Sequence, residues 1–136
     1  MVSGLPQEEA VLGFINDSSK LNDIDRQSDT REKRGVFTGR FVINPYTGEE
    51  VPLWVADYVL MYGTGAVMAV PAGDQRDYDF AKKYDLEIKT VVRPNDRDET
   101  FKVDQEAYPG PGVLINSDFL NGLEAPDKSV METIKI

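Results

Sequence analysis

The sequence predicts an α+β domain, a small barrel-like mixed β-sheet surrounded by helices. Three observations carry that prediction. Short apolar or alternating runs of strand length recur at 35–43, 50–55, 66–70, 88–92 and 113–116, each bounded by Gly, Pro, Asn or Asp. Helical spacing of apolar residues appears near both ends and once in the middle. Strand–helix alternation is clear only once, which argues against a doubly wound parallel sheet. The 136 residues suffice for one domain with a real core and not for two, so 1–136 is read as a single domain.

The first helix is expected over 6–16. Pro6 suits a first turn, Glu8 and Glu9 suit the helix dipole, and Val11, Phe14 and Ile15 share a face. The polar stretch 16–34 should hold a short helix around Leu21 and Ile24 and then a loop. Its charged end, Arg31-Glu32-Lys33-Arg34, reads as solvated. Strand 35–43 offers Phe37 and Phe41 as anchors. Asn44-Pro45-Tyr46-Thr47-Gly48 is a turn with its own mechanism, because Pro presets φ and Gly permits positive φ. With strand 50–55 it makes a hairpin. Asp57 then caps a local turn or meets a ligand, and 58–61 is a short apolar segment.

The stretch 62–80, YGTGAVMAVPAGDQRDYDF, is the centre of the chain. Gly63-Thr64-Gly65 is a turn nearly free of side chains. Residues 66–70 read as a buried strand, and Pro71-Ala72-Gly73 breaks it. A helix then starts, with Asp74 as N-cap and Asp77 in its first turn, where carboxylates meet orphan N–H groups and the positive end of the dipole. A strand that ends at a helix N-terminus beside bare backbone can hold a small ligand. Asp-x-x-Asp at such a place can equally be capping alone, and local pattern leaves both open.

That helix should reach Tyr84, with Phe80 and Tyr84 four apart on one side. Strand 88–92, a charged loop over 94–99, the rigid Tyr108-Pro109-Gly110-Pro111-Gly112 turn, strand 113–116 and a turn over 119–122 follow. A last helix over 126–136 carries Val130 and Ile134 and stops without a C-cap, as expected of a piece of something longer.

Composition narrows the chemistry. With no cysteine and no histidine, neither a Ser-His-Asp nor a Cys-His nucleophile system can be built from these residues, nor a His/Cys metal site. Hydrolysis would have to use carboxylates, backbone groups or the substrate itself. A net charge of −9 argues against a broad nucleic-acid surface. No apolar run is long enough to span a bilayer, and a cytoplasmic address is the default expectation.

The segments GVFTG (35–39), INPYTGEEVPLWVADYVL (43–60), YGTGAVMAVPAGDQRDYDFAKKY (62–84) and GVLINSDFLNGL (112–123) together resemble the inserted editing domain (connective polypeptide 1) of bacterial leucyl-tRNA synthetase. The similarity runs from the first helix to the last. It implies a barrel-like sheet with surrounding helices, here incomplete, inserted in a class I synthetase core. It implies hydrolysis of tRNA(Leu) charged with isoleucine or norvaline, sparing the leucine ester. One methylene gives a synthetic site only about 1–3 kcal/mol of discrimination, so a second sieve is needed. The parent enzyme would ligate leucine to tRNA(Leu) with ATP and Mg, while this domain would need no cofactor. Its partners would be the mischarged tRNA 3′ end and the remainder of the synthetase, with no membrane.

By the same resemblance Asp77 matches the aspartate that grips the substrate α-ammonium group, and Asp74 a neighbouring site aspartate. Met68 and Val70 match pocket-wall positions, Tyr62 an aromatic at the pocket edge, and Gly63, Thr64 and Gly65 the backbone beside the substrate. Water, oriented by backbone groups and the terminal ribose, would attack. Three features depart from the family, the first being that Met61-Tyr62 is one residue shorter than the common pattern before Gly63-Thr64-Gly65. A threonine-rich segment, T-x-R-P-D-T-like, is expected N-terminal to this chain and nothing here matches it, so the chain alone is expected to be weakly active or inactive. Gly73 stands where many members have histidine. Two other readings stay open: a non-catalytic module that holds tRNA ends or docks on a synthetase, and an unrelated enzyme using Asp74 and Asp77 as an acid–base or cation-binding pair.

Overall fold

The computed structural model describes residues 2–20, 32–59 and 67–127. The chain divides into two compact units, Met1–Val67 and Met68–Ile136. Among the described residues the architecture is mixed α and β, with two α-helices and two small antiparallel sheets. Neither sheet closes on itself, so the expected barrel is not formed by these strands. The short helix expected around Leu21 and Ile24 and nearly all of the last helix lie outside the described residues.

In the first unit, α1 spans Glu8–Ser18. It begins later than expected, because Pro6 belongs to the turn before it: Leu5 N–H donates to the Val2 carbonyl and Glu8 N–H to that of Leu5, both at 3.0 Å. Gln7, the N-cap, makes no side-chain cap. Glu8 supplies the acidic first turn and also accepts from Gly4 N–H at 2.7 Å. Val11 is fully buried, but Ile15 is 44% exposed, so the apolar stripe is narrower than its spacing suggests.

Strands β1 (Gly35–Ile43) and β2 (Glu50–Ala56) pair antiparallel as the predicted hairpin. Its turn is closed by Gly48 N–H to the Asn44 carbonyl at 2.8 Å and by Tyr46 N–H to Asn44 Oδ1 at 3.0 Å. The register shifts between Phe37 and Phe41: Phe37 faces Trp54, yet Phe41 faces Pro52. Gly39 absorbs the excess chain at φ +75°, a conformation that favours glycine. Thr38, fully buried beside it, bridges the interrupted ladder, with its Oγ1 donating to the Leu53 carbonyl at 2.7 Å and accepting from Arg40 N–H at 3.3 Å. The bulge leaves Phe37 and Phe41 in edge contact at 5.4 Å and Phe37 against Trp54 at 5.6 Å.

One residue beyond the last pair, Asp57 and Arg34 lock the base of the hairpin. Asp57 N–H donates to the Arg34 carbonyl at 2.9 Å. In return Asp57 Oδ1 accepts from Arg34 N–H and Oδ2 from Arg34 Nε, each at 3.0 Å. Asp57 is fully buried. The sequence reading of a solvated Arg31–Arg34 cluster holds for Glu32 and Arg34, which are exposed, and is corrected at Lys33, which is buried. Arg34 is also the counterion of an internal carboxylate, because a buried charge has to be paired and hydrogen-bonded. Arg31 itself lies outside the described residues.

In the second unit, α2 spans Gln75–Lys83 and buries Tyr78, Phe80 and Ala81. The Phe80 and Tyr84 rings pack at 4.7 Å, as their spacing predicts. Asp74 is the N-cap, in extended conformation, and its Oδ1 accepts from Arg76 N–H at 2.8 Å and Asp77 N–H at 3.3 Å. The Arg76 side chain folds back on the same carboxylate, at 3.0 Å from Nη2 to Oδ2. These contacts, led by Arg76, hold the Asp74 carboxyl below its ordinary value. Lys82 and Lys83 in the last turn complement the dipole. The helix stops in a Schellman arrangement: Asp85 sits at φ +52°, and Leu86 N–H reaches the Ala81 carbonyl at 2.8 Å.

Strands β3 (Val92–Arg93), β4 (Gly112–Leu114) and β5 (Glu124–Ala125) pair antiparallel in that order, and a 3-10 turn covers Asp118–Leu120. The expected strands 88–92 and 113–116 are thus shortened. Thr90 explains the first: its Oγ1 accepts from Val103 N–H and its carbonyl from Asn116 Nδ2, both at 2.9 Å, so side chains replace a ladder. Gly112 is required by close approach, since a Cβ there would lie 2.1 Å from the Arg93 carbonyl oxygen.

Asp57→Ala is expected to cost about 3 kcal/mol of stability, read by urea unfolding, because it breaks an ion pair whose carboxylate is internal. Gly112→Ala should cost roughly 1–3 kcal/mol by forcing β3 and β4 apart. Asp74→Ala should cost about 1 kcal/mol. The folded-state value of Asp74 is lowered, so its contribution is complete above its unfolded value of 3.8 and vanishes as pH falls through the lower folded value. The wild-type and Asp74→Ala urea midpoints should therefore converge on acidification below that point.

Candidate functional site

The site is built on residues 67–84, at the entrance to α2. The reading of 66–70 as a buried strand is corrected for its described part. Residues 67–70 form no ladder, and Val67, Met68 and Val70 are 54%, 60% and 55% exposed. The backbone of Val70 is committed to the turn instead. Its carbonyl accepts from Gly73 N–H at 2.8 Å and Asp74 N–H at 2.9 Å, and its N–H donates to Asp77 Oδ2 at 2.7 Å. Backbone groups spent this way cannot serve a neighbouring strand.

The two first-turn carboxylates therefore divide the work. Asp74 satisfies orphan N–H groups of the helix and pairs with Arg76, as a capping residue does. Asp77 reaches out of the helix, back to the apolar segment that precedes it. Its carboxylate is thereby fixed at the N-terminal end of α2, on the side of Val70. A carboxylate fixed by a backbone donor is a hydrogen-bond acceptor for an ammonium group.

A second segment straps this turn in place. Tyr108 N–H donates to the Ala72 carbonyl at 2.8 Å, Ala107 N–H donates to Gln75 Oε1 at 2.9 Å, and Tyr78 Oη donates to the Asp104 carbonyl. Gln75 is held from its other end by Asp79, at 2.8 Å. Sequence reading did not single out Gln75 or the 104–108 strap. The only local signal was the spacing of Gln75 and Asp79, which any exposed helix face carries. Gly73 has space beside its backbone: a Cβ would find no atom closer than 3.9 Å.

Of the site residues named from sequence, the structure brings Asp77 to Val70 through a direct hydrogen bond and sets Asp74 beneath them as the cap. Met68 lies two residues before Val70, its side chain largely exposed. Tyr62, Gly63, Thr64 and Gly65 lie outside the described residues. No cluster of acidic residues able to hold a metal ion occurs among the described residues. No helix among them is long and apolar enough to cross a membrane.

The comparisons with known proteins converge on one family. The family model described as "Leucyl-tRNA synthetase, editing domain" matches residues 2–135. A relative described as "Leucine--tRNA ligase", from Nitratidesulfovibrio vulgaris (strain DP4), is 47% identical over 128 residues, covering 93% of this chain. The chain spans 15% of the length of that curated relative. With nearly its whole length matched, the chain belongs to the leucyl-tRNA synthetase editing-domain family.

Proposed function

We propose that this chain is part of a post-transfer editing domain that hydrolyses mischarged aminoacyl-tRNA(Leu), and that Asp77 receives the α-ammonium group of the misplaced amino acid. The observation that supports this most is the Asp77–Val70 hydrogen bond, which sets a carboxylate against a short apolar segment at a helix entrance. In this reading Asp77 binds and orients the ester, and Asp74 with Arg76 keeps the first turn of α2 rigid beneath it. Met68 and Val70 form one wall, and Tyr62 to Gly65 the backbone edge. The threonine-rich segment of the family completes the pocket, consistent with the exposure of Met68 and Val70. Water performs the attack, positioned by backbone groups and the terminal ribose, and no cofactor is needed for that step.

The rest of the reading follows from the same resemblance. Residues 1–136 form one piece of a barrel-like editing domain completed by further chain. The parent is a cytoplasmic ligase that charges tRNA(Leu) with leucine using ATP and Mg. The partners are the mischarged 3′ end and the remaining synthetase.

Deacylation of isoleucyl- and norvalyl-tRNA(Leu) by the full-length ligase tests the proposal. Asp77→Ala should lower the hydrolysis rate constant by roughly 10- to 150-fold, the cost of about 1.5–3 kcal/mol for losing a hydrogen bond to a charged group. Leucylation should be unaffected. Undiminished deacylation by Asp77→Ala would remove Asp77 from the site.

A further inference from the structure

The second unit contains a cleft of about 790 Å³ that no part of the proposed editing chemistry uses. It opens between β3–β4 and the segment around Phe101, and neither Asp74 nor Asp77 lines it. Its wall carries three cations, Lys89, Arg93 and Lys102, against two acids, Glu87 and Glu99. Acids do not outnumber cations along this wall, although the whole chain carries a net charge of −9.

The hydrogen-bond inventory of that wall points to a ligand. Arg93 is held in place by Nη1 donating to the Arg97 carbonyl. Its Nε is buried without an acceptor, and the guanidinium makes no ion pair among the described residues. Three of the four N–H donors on its two Nη atoms are therefore unspent. Lys102 has no hydrogen bond or ion pair among the described residues. Asn121 uses its Oδ1 to accept from Ser117 N–H at 2.8 Å, and its amide N–H donors make no hydrogen bond among the described residues. Phe101 adds an aromatic wall, steadied edge-on by Tyr108 at 6.0 Å. Surplus donors of positive charge beside an aromatic ring match a phosphodiester with its base.

We propose that this cleft binds a phosphate of single-stranded RNA, with Arg93 and Lys102 on the phosphate oxygens and a base against Phe101. The choice of RNA over a free phosphate rests on the tRNA substrate proposed above. Glu87 and Glu99 keep the surface from binding polyanions broadly, so the contact supplies position more than affinity. With two cations on a single strand, the slope of log affinity against log salt should be about −1.4.

The test is an NMR titration of the 136-residue chain with a single-stranded RNA of about eight nucleotides, a length within the usual site size of single-strand binders. Inorganic phosphate and ADP are run as separate arms. RNA should shift the side-chain signals of Arg93 and Asn121. Affinity should fall at least tenfold in Arg93→Gln/Lys102→Gln and rise two- to threefold in Glu99→Gln. Lys102 is exposed, so Lys102→Gln alone, expected to weaken binding severalfold, stands in if the double variant unfolds. RNA binding that is absent or indifferent to these variants would overturn the proposal. Equal affinity for ADP or inorganic phosphate would overturn the assignment to RNA. Either failure would leave Asp77-dependent deacylation untouched, and loss of the Asp77 effect would leave cleft binding measurable.

Discussion

The second unit depends on a closed set of hydrogen bonds between residues 70 and 77. An apolar segment must turn into a helix, and both its own backbone and the first turn of the helix need partners. Asp74 satisfies the helix, Asp77 satisfies Val70 N–H, and the Val70 carbonyl satisfies Gly73 and Asp74. Each carboxylate completes what the other leaves undone. The capping reading and the site reading of Asp-x-x-Asp therefore describe two residues with different partners: capping accounts for Asp74, and Asp77 is the one turned toward the apolar segment.

The first unit solves a similar problem with an internal charge. A hairpin of two strands is marginal by itself, and its base must be fixed for the register to hold. Asp57 and Arg34 fix it through two backbone bonds and an ion pair. The carboxylate is fully buried while Arg34 keeps half of its side chain in water, which lowers the desolvation cost of the pair. Gly39 and Thr38 then accommodate the extra length of β1, Gly39 through its positive φ and Thr38 through its hydroxyl bonds to the Leu53 carbonyl and Arg40 N–H.

Family membership and site geometry answer different questions. The match over residues 2–135 assigns the chain to a family whose work is editing. It does not say which carboxylate would meet a substrate. Asp77 is proposed for that role because of where its side chain is held, and because of the 104–108 strap on the turn that carries it.

The sequence by itself determined the elements whose causes are local. The Asn44–Gly48 turn, the hairpin around it, the α2 cap at Asp74 and the Phe80–Tyr84 pair all follow from residues within four positions of each other. The motif strings also carried the family, because a long specific pattern survives without any coordinates. Only the tertiary structure decided the rest. Residues 67–70 have strand composition, yet an acceptor seven residues away takes the N–H a ladder would need. Thr90 trims a predicted strand through partners at 103 and 116, and Arg34, half in water, pairs with an internal carboxylate 23 residues on. These outcomes are set by which distant groups arrive to satisfy a buried donor or charge, and no window along the chain contains that information.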